Sequence, residues 1–331
     1  MKDARLRSVS ILRGWMLCYI IMGHIGFTGI FDYYIHAFHV PIFFVLSGYC
    51  FREGTTVGKY ILKKVKTMLV PYVVFALIHF GLAFVLVEDF NWQNSLRVIF
   101  WKNNSGMPIS GSLWFVTSIF FASVFYKLLD VTVKGWFKSV LIAVIMVLGF
   151  LCPVRLPYSM DTALVGVGFM HVGHLIRIYE PKKKWLEKSL NLGWIFSLIV
   201  LILNAGAIIC NDYINMRKMI YGIWPLFIVN VILAFWAYFN LAKLLDKIQW
   251  PVGRHMVLLL EKIGIYSIYF LAFNELGIKL WNLTMPSLES ENFVVKLIYK
   301  FSELGIVILF IFILCCAFEF LKKVTNSGHR K

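Results

Sequence analysis

Charge is scarce in this chain of 331 residues: 15% of it is Asp, Glu, Lys or Arg, against about 25% in an average soluble domain. A water-soluble fold needs a polar skin, and with 60% hydrophobic residues this chain has too little material for one. Paired cysteines are also missing. Cys18, Cys50, Cys152, Cys210, Cys315 and Cys316 lie inside or at the ends of apolar runs, and no two have the spacing of a zinc or redox motif. A disulfide framework and a zinc module are thereby excluded, and the six are read as small apolar residues. There is no P-loop, no HExxH and no dinucleotide fingerprint, and no internal repeat or low-complexity stretch. Without a linker to divide it, the chain is expected to form one membrane domain over 1–331.

Apolar runs of about 17–25 residues, the length that spans a bilayer, recur along the sequence. Ten spans are expected, near 9–27, 37–52, 68–87, 112–129, 138–152, 160–178, 191–209, 219–241, 259–279 and 302–321. The fold class is therefore all-α, a polytopic helical bundle set in membrane lipid. The first run carries Arg13 and His24 and is followed by no small-residue cleavage site, so it stays as a span rather than being removed as a signal. Its excess of cations is distributed by side. The segments 1–13, 52–66, 127–138, 177–188, 243–262 and 322–331 hold 25 of the 33 Lys and Arg, and short loops rich in these residues stay in the cytoplasm. Both termini are expected there. The formal charge of +16 is thus accounted for at helix ends, and nucleic acid is excluded as a partner because the cations form no soluble basic face.

An ionisable side chain in a span costs about 2.5–3.5 kcal/mol on insertion scales and marks a polar interhelical contact or a site. Arg13 and His24 are eleven positions apart, which on an α-helix returns to within about 20° of one face and separates them by roughly 16 Å along the axis. Arg13 is expected at the cytoplasmic edge, His24 near or just beyond the midplane, with Leu17 and Ile20 on the stripe between. In the second span His36 and His39 open the helix, Pro41 sits in the first turn and Ser47-Gly48 interrupts the inner half. Three histidines in two adjacent spans point to acid–base work, since imidazole is the usual general base near neutral pH.

The arrangement Arg13-x10-His24, then Phe38-His39-Val40-Pro41-Ile42-Phe43-Phe44-Val45-Leu46-Ser47-Gly48-Tyr49, then a basic stretch ending at Pro71-Tyr72, resembles the acyltransferase-3 family of bacterial integral-membrane O-acyltransferases. Leu113-Trp114-Phe115, Leu156-Pro157 with Asp161, and Ile263-Gly264 with Ser267 extend the resemblance over nearly the whole chain. The resemblance implies a bacterial cytoplasmic membrane and transfer of an acyl group, usually acetyl from acetyl-CoA, to a hydroxyl of an extracytoplasmic or lipid-linked carbohydrate. Acetyl-CoA enters as the donor, and no permanently bound cofactor or metal is implied.

By resemblance Arg13 and His24 form the essential pair, His24 as general base and Arg13 as a clamp on the donor or a fixed charge along its path. His39 and Ser47 are expected in the same cavity. Ser47 is either an acyl carrier in a two-step relay or part of a close-packing Ser-Gly pair, direct transfer being favoured. Lys63, Lys64 and Lys66, with Arg52 and Lys59, lie in the cytoplasmic stretch before Pro71 and either hold the phosphates of coenzyme A or merely orient the protein. Trp114 is read as a stacking platform for a sugar or as an interfacial belt residue, and Asp161 as an acceptor contact or a helix cap. Asn274 stands where many relatives carry a histidine, and Thr67 and Met68 where many carry an arginine. An amide can hold an acceptor but cannot act as base. His171 and His174 share a helical face, but no carboxylate is close in sequence to complete a metal site. A transporter or flippase for a polar or lipid-linked substrate is the rival reading. It is disfavoured by the absence of paired broken helices in two halves.

Overall fold

In a computed structural model, residues 2–328 are described except 104–106, 108, 192, 287 and 289–291, with side chains over 7–320. Among them are fifteen α-helices and no strand: α1 (Lys2–Ile25), α2 (Gly29–His36), α3 (His39–Tyr49), α4 (Val57–Lys64), α5 (Val70–Leu86), α6 (Trp92–Phe100), α7 (Trp114–Thr132), α8 (Gly135–Leu151), α9 (Met160–Tyr179), α10 (Lys184–Ser189), α11 (Trp194–Ile209), α12 (Trp224–Leu245), α13 (Pro251–Ile265), α14 (Ser267–Thr284) and α15 (Phe293–Gly328). Local chemistry places several of the ends. Thr28 Oγ1 accepts from Phe31 N at the start of α2, Asn91 Oδ1 from Asn94 N at α6, and prolines sit in the first turns of α5, α12 and α13, where a missing N–H costs no intrahelical bond.

Seven helical stretches are long and apolar enough to cross a membrane, and α13 with α14 make an eighth if their 95° bend is counted as one broken span. The shorter apolar helices α8 and α11 stand at the two remaining sequence-predicted positions. The cations counted in 322–331 lie outside the described side chains. Two boundaries differ from the sequence reading. The second span is two helices, α2 ending at His36 and α3 starting at His39, so the histidines flank a break instead of opening one helix. Lys59, Lys63 and Lys64 lie on α4 and Lys66 on a π-helical turn, Val65–Leu69, that joins α4 to α5. The expected cytoplasmic loop is therefore helical, because Leu62, Val65 and Leu69 keep the helical period going through the lysines.

Close backbone crossings hold the bundle around these elements. α1 packs chiefly on α13, and α3 on α9. A Cβ on Gly14 would come within 1.9 Å of the Leu260 carbonyl oxygen, and one on Gly264 within 1.9 Å of that of Ser10. At the other crossing a Cβ on Gly48 would lie 1.8 Å from the Met170 oxygen and one on Gly173 1.9 Å from that of Val45. Small residues that let two backbones touch are the usual device of helix association in lipid. Gly48 belongs to this device, which explains the glycine of the Ser47-Gly48 pair.

Candidate active site

Three cavities that share lining residues run along α1 and α3, the first bounded by α4 and the other two by α7 and α14. The first, about 830 Å³, is lined by Arg13, Arg52, Lys59, Lys63 and Lys64 and by no carboxylate. Ser47, Lys64, Thr67 and Arg13 also line the second, about 340 Å³, whose far part is apolar: Phe43, Met68, Val116, Ile119, Ile268 and Leu271. Phe115 and Leu271 then border the third, about 170 Å³, which holds His24, His36, His39, Ser112, Trp114 and Arg217.

The sequence-predicted residues divide between the two ends. Arg13, Ser47, Arg52, Lys63 and Lys64 gather at the cationic end, while His24, His39 and Trp114 gather at the histidine end. Ser47 and His39 do not share a cavity, because eight residues of helix hold them about 12 Å apart along α3. Lys66 is exposed and is absent from the cavity lining, since the turn that carries it points it away. His24 lies in the last turn of α1. Arg13 precedes it by eleven residues, about 16 Å, on the same helix.

Ser112 is the hub of the histidine end. Its Oγ lies 3.0 Å from Glu275 Oε1, 3.1 Å from His24 Nε2 and 3.3 Å from Asn274 Nδ2. A hydroxyl has one proton, and a carboxylate can only accept, so Ser112 donates to Glu275 and accepts from His24 and Asn274. That assignment puts the His24 proton on Nε2, 3.7 Å from Glu275 Oε1, and leaves Nδ1 with the lone pair. His39 is buried and its Nδ1–H donates to the Ile35 carbonyl, which leaves its Nε2 as an acceptor. His36 pairs with Asp32 at 3.2 Å and its ring meets that of His39 edge-on at 4.9 Å.

Glu275 and Arg217 were not singled out from sequence. Glu275 carries the same signal as Arg13 and His24, an ionisable group in an apolar run, and was legible on that ground. Arg217 sits in the irregular connection between α11 and α12, which no period marks. Its guanidinium and the Glu275 carboxylate press on one point: a Cβ on Gly111 would meet Arg217 Nη1 at 2.9 Å and Glu275 Oε1 at 3.0 Å. Gly111 N donates to Glu275 Oε2 at 2.8 Å. Burial pulls the Arg217 pKa below its ordinary value, and the neighbouring Glu275 opposes that shift. Glu275→Gln is expected to lower the turnover of the assembled site about 10- to 100-fold with donor affinity unchanged, the equivalent of about 1.5–3 kcal/mol for a hydrogen bond to a charged group. Equal losses in turnover and donor binding in steady-state kinetics would remove it from this role.

Two expected contacts are structural. Asp161 is fully buried at the start of α9 and accepts from Thr162 N at 2.7 Å, Thr162 Oγ1 at 3.0 Å and Leu156 N at 3.3 Å. It ties the first turn of α9 to the segment before it and does not line the histidine cavity, toward which Arg155, 3.9 Å away, donates through Nη1 to the Arg217 carbonyl. Trp114 is 6% exposed and therefore no belt residue. Asn274 is bound to Ser112 and to the Phe270 and Leu271 carbonyls. Elsewhere the fold brings to His174 the carboxylates that sequence spacing did not. Glu53, Asp130 and His174 offer ligand atoms within 4.8 Å of one another, but Lys138 at 2.6 Å and Lys127 at 3.4 Å already bind Asp130, so ammonium groups fill the cation position.

Residues 6–320 match the family of the acyltransferase domain, type 3. No curated protein and no solved structure matches the chain.

Proposed function

The chain belongs to the acyltransferase-3 family of integral-membrane acyltransferases, and from that premise we propose that it moves acetyl from cytoplasmic acetyl-CoA to a hydroxyl of an extracytoplasmic or lipid-linked carbohydrate in a bacterial cytoplasmic membrane. The observation that carries this reading is the run of three cavities from a cationic end to a histidine end. The excess of Lys and Arg in the 52–66 segment assigns the cationic end to the cytoplasm. Five cations without a carboxylate suit the phosphates of coenzyme A, with Arg13 deepest, where a fixed charge clamps the donor. The second cavity suits its narrow arm.

His24 Nδ1 takes the proton from the acceptor hydroxyl as its oxygen attacks the thioester carbonyl. The C–S bond breaks, and the imidazolium returns that proton to the leaving thiolate of coenzyme A. Glu275, through Ser112 and directly, favours the imidazolium while it lasts. Direct transfer fits better than a relay through Ser47, which lies on the donor side of Phe115 and Leu271. His39, Trp114 and Asn274 surround or support the pocket that receives the acceptor.

Calorimetric binding of acetyl-CoA to the purified protein in nanodiscs tests the donor half without knowledge of the acceptor. Saturable binding competed by coenzyme A supports the reading, and no binding at millimolar donor overturns it in favour of a transporter. The triple change Lys59, Lys63 and Lys64→Gln is expected to weaken that binding at least about ten-fold and to flatten its salt dependence, while Lys66→Gln leaves it unchanged. Unaltered affinity in the triple variant would reduce these lysines to topological anchors.

A further inference from the structure

Each of the four helices that line the passage changes from one cavity to the next within a short stretch. On α1, Arg13 borders the donor side and Ile20 and His24 the histidine side; on α3, Ser47 and Phe43 give way to Val40 and His39. On α7, Trp114 borders only the histidine cavity and Val116 only the donor cavity, with Phe115 between them on both. On α14, Ile268 borders the donor cavity, Leu271 both, and Glu275, one turn further, holds the Ser112 and His24 cluster. The two cavities are thus separated at Phe115 and Leu271 by a partition one side chain thick.

Both side chains of that partition are buried and packed. Phe115 is 4% exposed and Leu271 6%. The Phe115 ring is gripped edge-on by Phe43 at 5.5 Å and Phe44 at 5.4 Å. The Leu271 backbone is tied to Asn274, whose Nδ2 donates to its carbonyl at 2.8 Å.

We infer that Phe115 and Leu271 form a septum that selects the length of the acyl group, admitting a short chain to His24 and rejecting a long one; this rests on the acyl-donor reading above. The thioester must arrive at the septum from the donor side, because the cations that suit its phosphates lie there. The acyl carbons, which extend beyond the thioester, must therefore pass between the two side chains or displace them. Close-packed side chains yield little, so a two-carbon group ends at the septum with its carbonyl facing the histidine cavity, whereas the further carbons of a six-carbon chain have to part Phe115 from Leu271. An open apolar slot would behave in the opposite way, each added methylene strengthening binding about four-fold. The sign of the chain-length dependence separates the two.

The experiment compares coenzyme A, acetyl-CoA, butyryl-CoA and hexanoyl-CoA by calorimetry on the full-length protein in nanodiscs. Wild type is expected to bind hexanoyl-CoA at least about ten-fold more weakly than acetyl-CoA. Leu271→Ala and Phe115→Leu are each expected to bring hexanoyl-CoA to within about three-fold of acetyl-CoA, with coenzyme A, which has no acyl group, reporting that each variant is folded. Affinity that rises with chain length in wild type overturns the septum while leaving the donor reading standing, as does a profile in both variants parallel to that of wild type. Failure of wild type to bind either acetyl-CoA or coenzyme A overturns the donor reading, and the septum falls with it.

Discussion

His24→Ala is expected to abolish acyl transfer while leaving the protein inserted and acetyl-CoA bound with nearly unchanged affinity. A general base contributes typically about 10²–10⁴-fold, and of the three histidines that line this cavity His24 alone is joined to Ser112 and Glu275. His39 is buried and tied through Nδ1 to Ile35, Asn274 is an amide, and Glu275 is engaged by Ser112 and Gly111 N. The five cations that suit the donor line a different cavity, separated from His24 by the one that Phe115 and Leu271 close, so donor binding reports folding independently of chemistry. The measurement pairs calorimetry with envelope acetylation in cells that lack the native enzyme. Acetylation within a few-fold of wild type would sink the base assignment, and joint loss of binding and transfer would reassign His24 to the architecture.

Gly173→Leu is expected to leave little folded protein. The α3 and α9 backbones touch there, and a Cβ at 173 would sit 1.9 Å from the Val45 carbonyl oxygen, 2.8 Å from its carbon and 2.9 Å from Tyr49 N. These are backbone atoms and cannot swing aside, so the helices must separate. Overpacking costs typically about 1–3 kcal/mol where side chains can yield, and here they cannot. Because α3 carries Ser47 and Phe43 on one side of the passage and His39 on the other, separation disassembles both ends. Gly206→Leu, with nothing within 4 Å of its Cβ position, is the matched control. Wild-type yield and melting temperature in detergent for Gly173→Leu would show that this crossing is looser than its geometry.

The helical membrane architecture was legible because apolar runs of spanning length leave few alternatives, and all ten predicted positions coincide with an apolar helix or a bent helix pair. The polar residues of the first two spans were legible because burying them is expensive. What periodicity could not reveal was which residues meet. Arg13 and His24 share a face as expected, yet they border different cavities because the septum comes from α7 and α14, more than ninety residues away in the chain. Ser47 and His39 were placed together for want of a depth scale. Lys63 and Lys64 were identified, but their helical setting was not, since a lysine-rich stretch before a proline looks like a loop. Asp161 was left between capping and acceptor contact; it is buried in the first turn of α9, hydrogen-bonded to Thr162 and Leu156, and lies outside the lining of the histidine cavity. Glu275 was overlooked although the rule that found His24 applies to it equally. Arg217 had no sequence signal, because an irregular connection aims its side chains by turns such as the left-handed Met219 and the close Asn215–Ile220 pairing.

The break between α13 and α14 carries its own consequence. A continuous span would keep every peptide group paired within the hydrocarbon layer, with unpaired ones only near the membrane surfaces. Here the chain turns through 95° at Tyr266, and both Ile265, the last residue of α13, and Ser267, the first of α14, border the second cavity. The break in the helix therefore borders a cavity, the setting in which irregular backbone is tolerated at membrane depth. A molecule in that cavity therefore passes a break in the main chain as well as the side chains of Arg13, Ser47, Lys64 and Thr67.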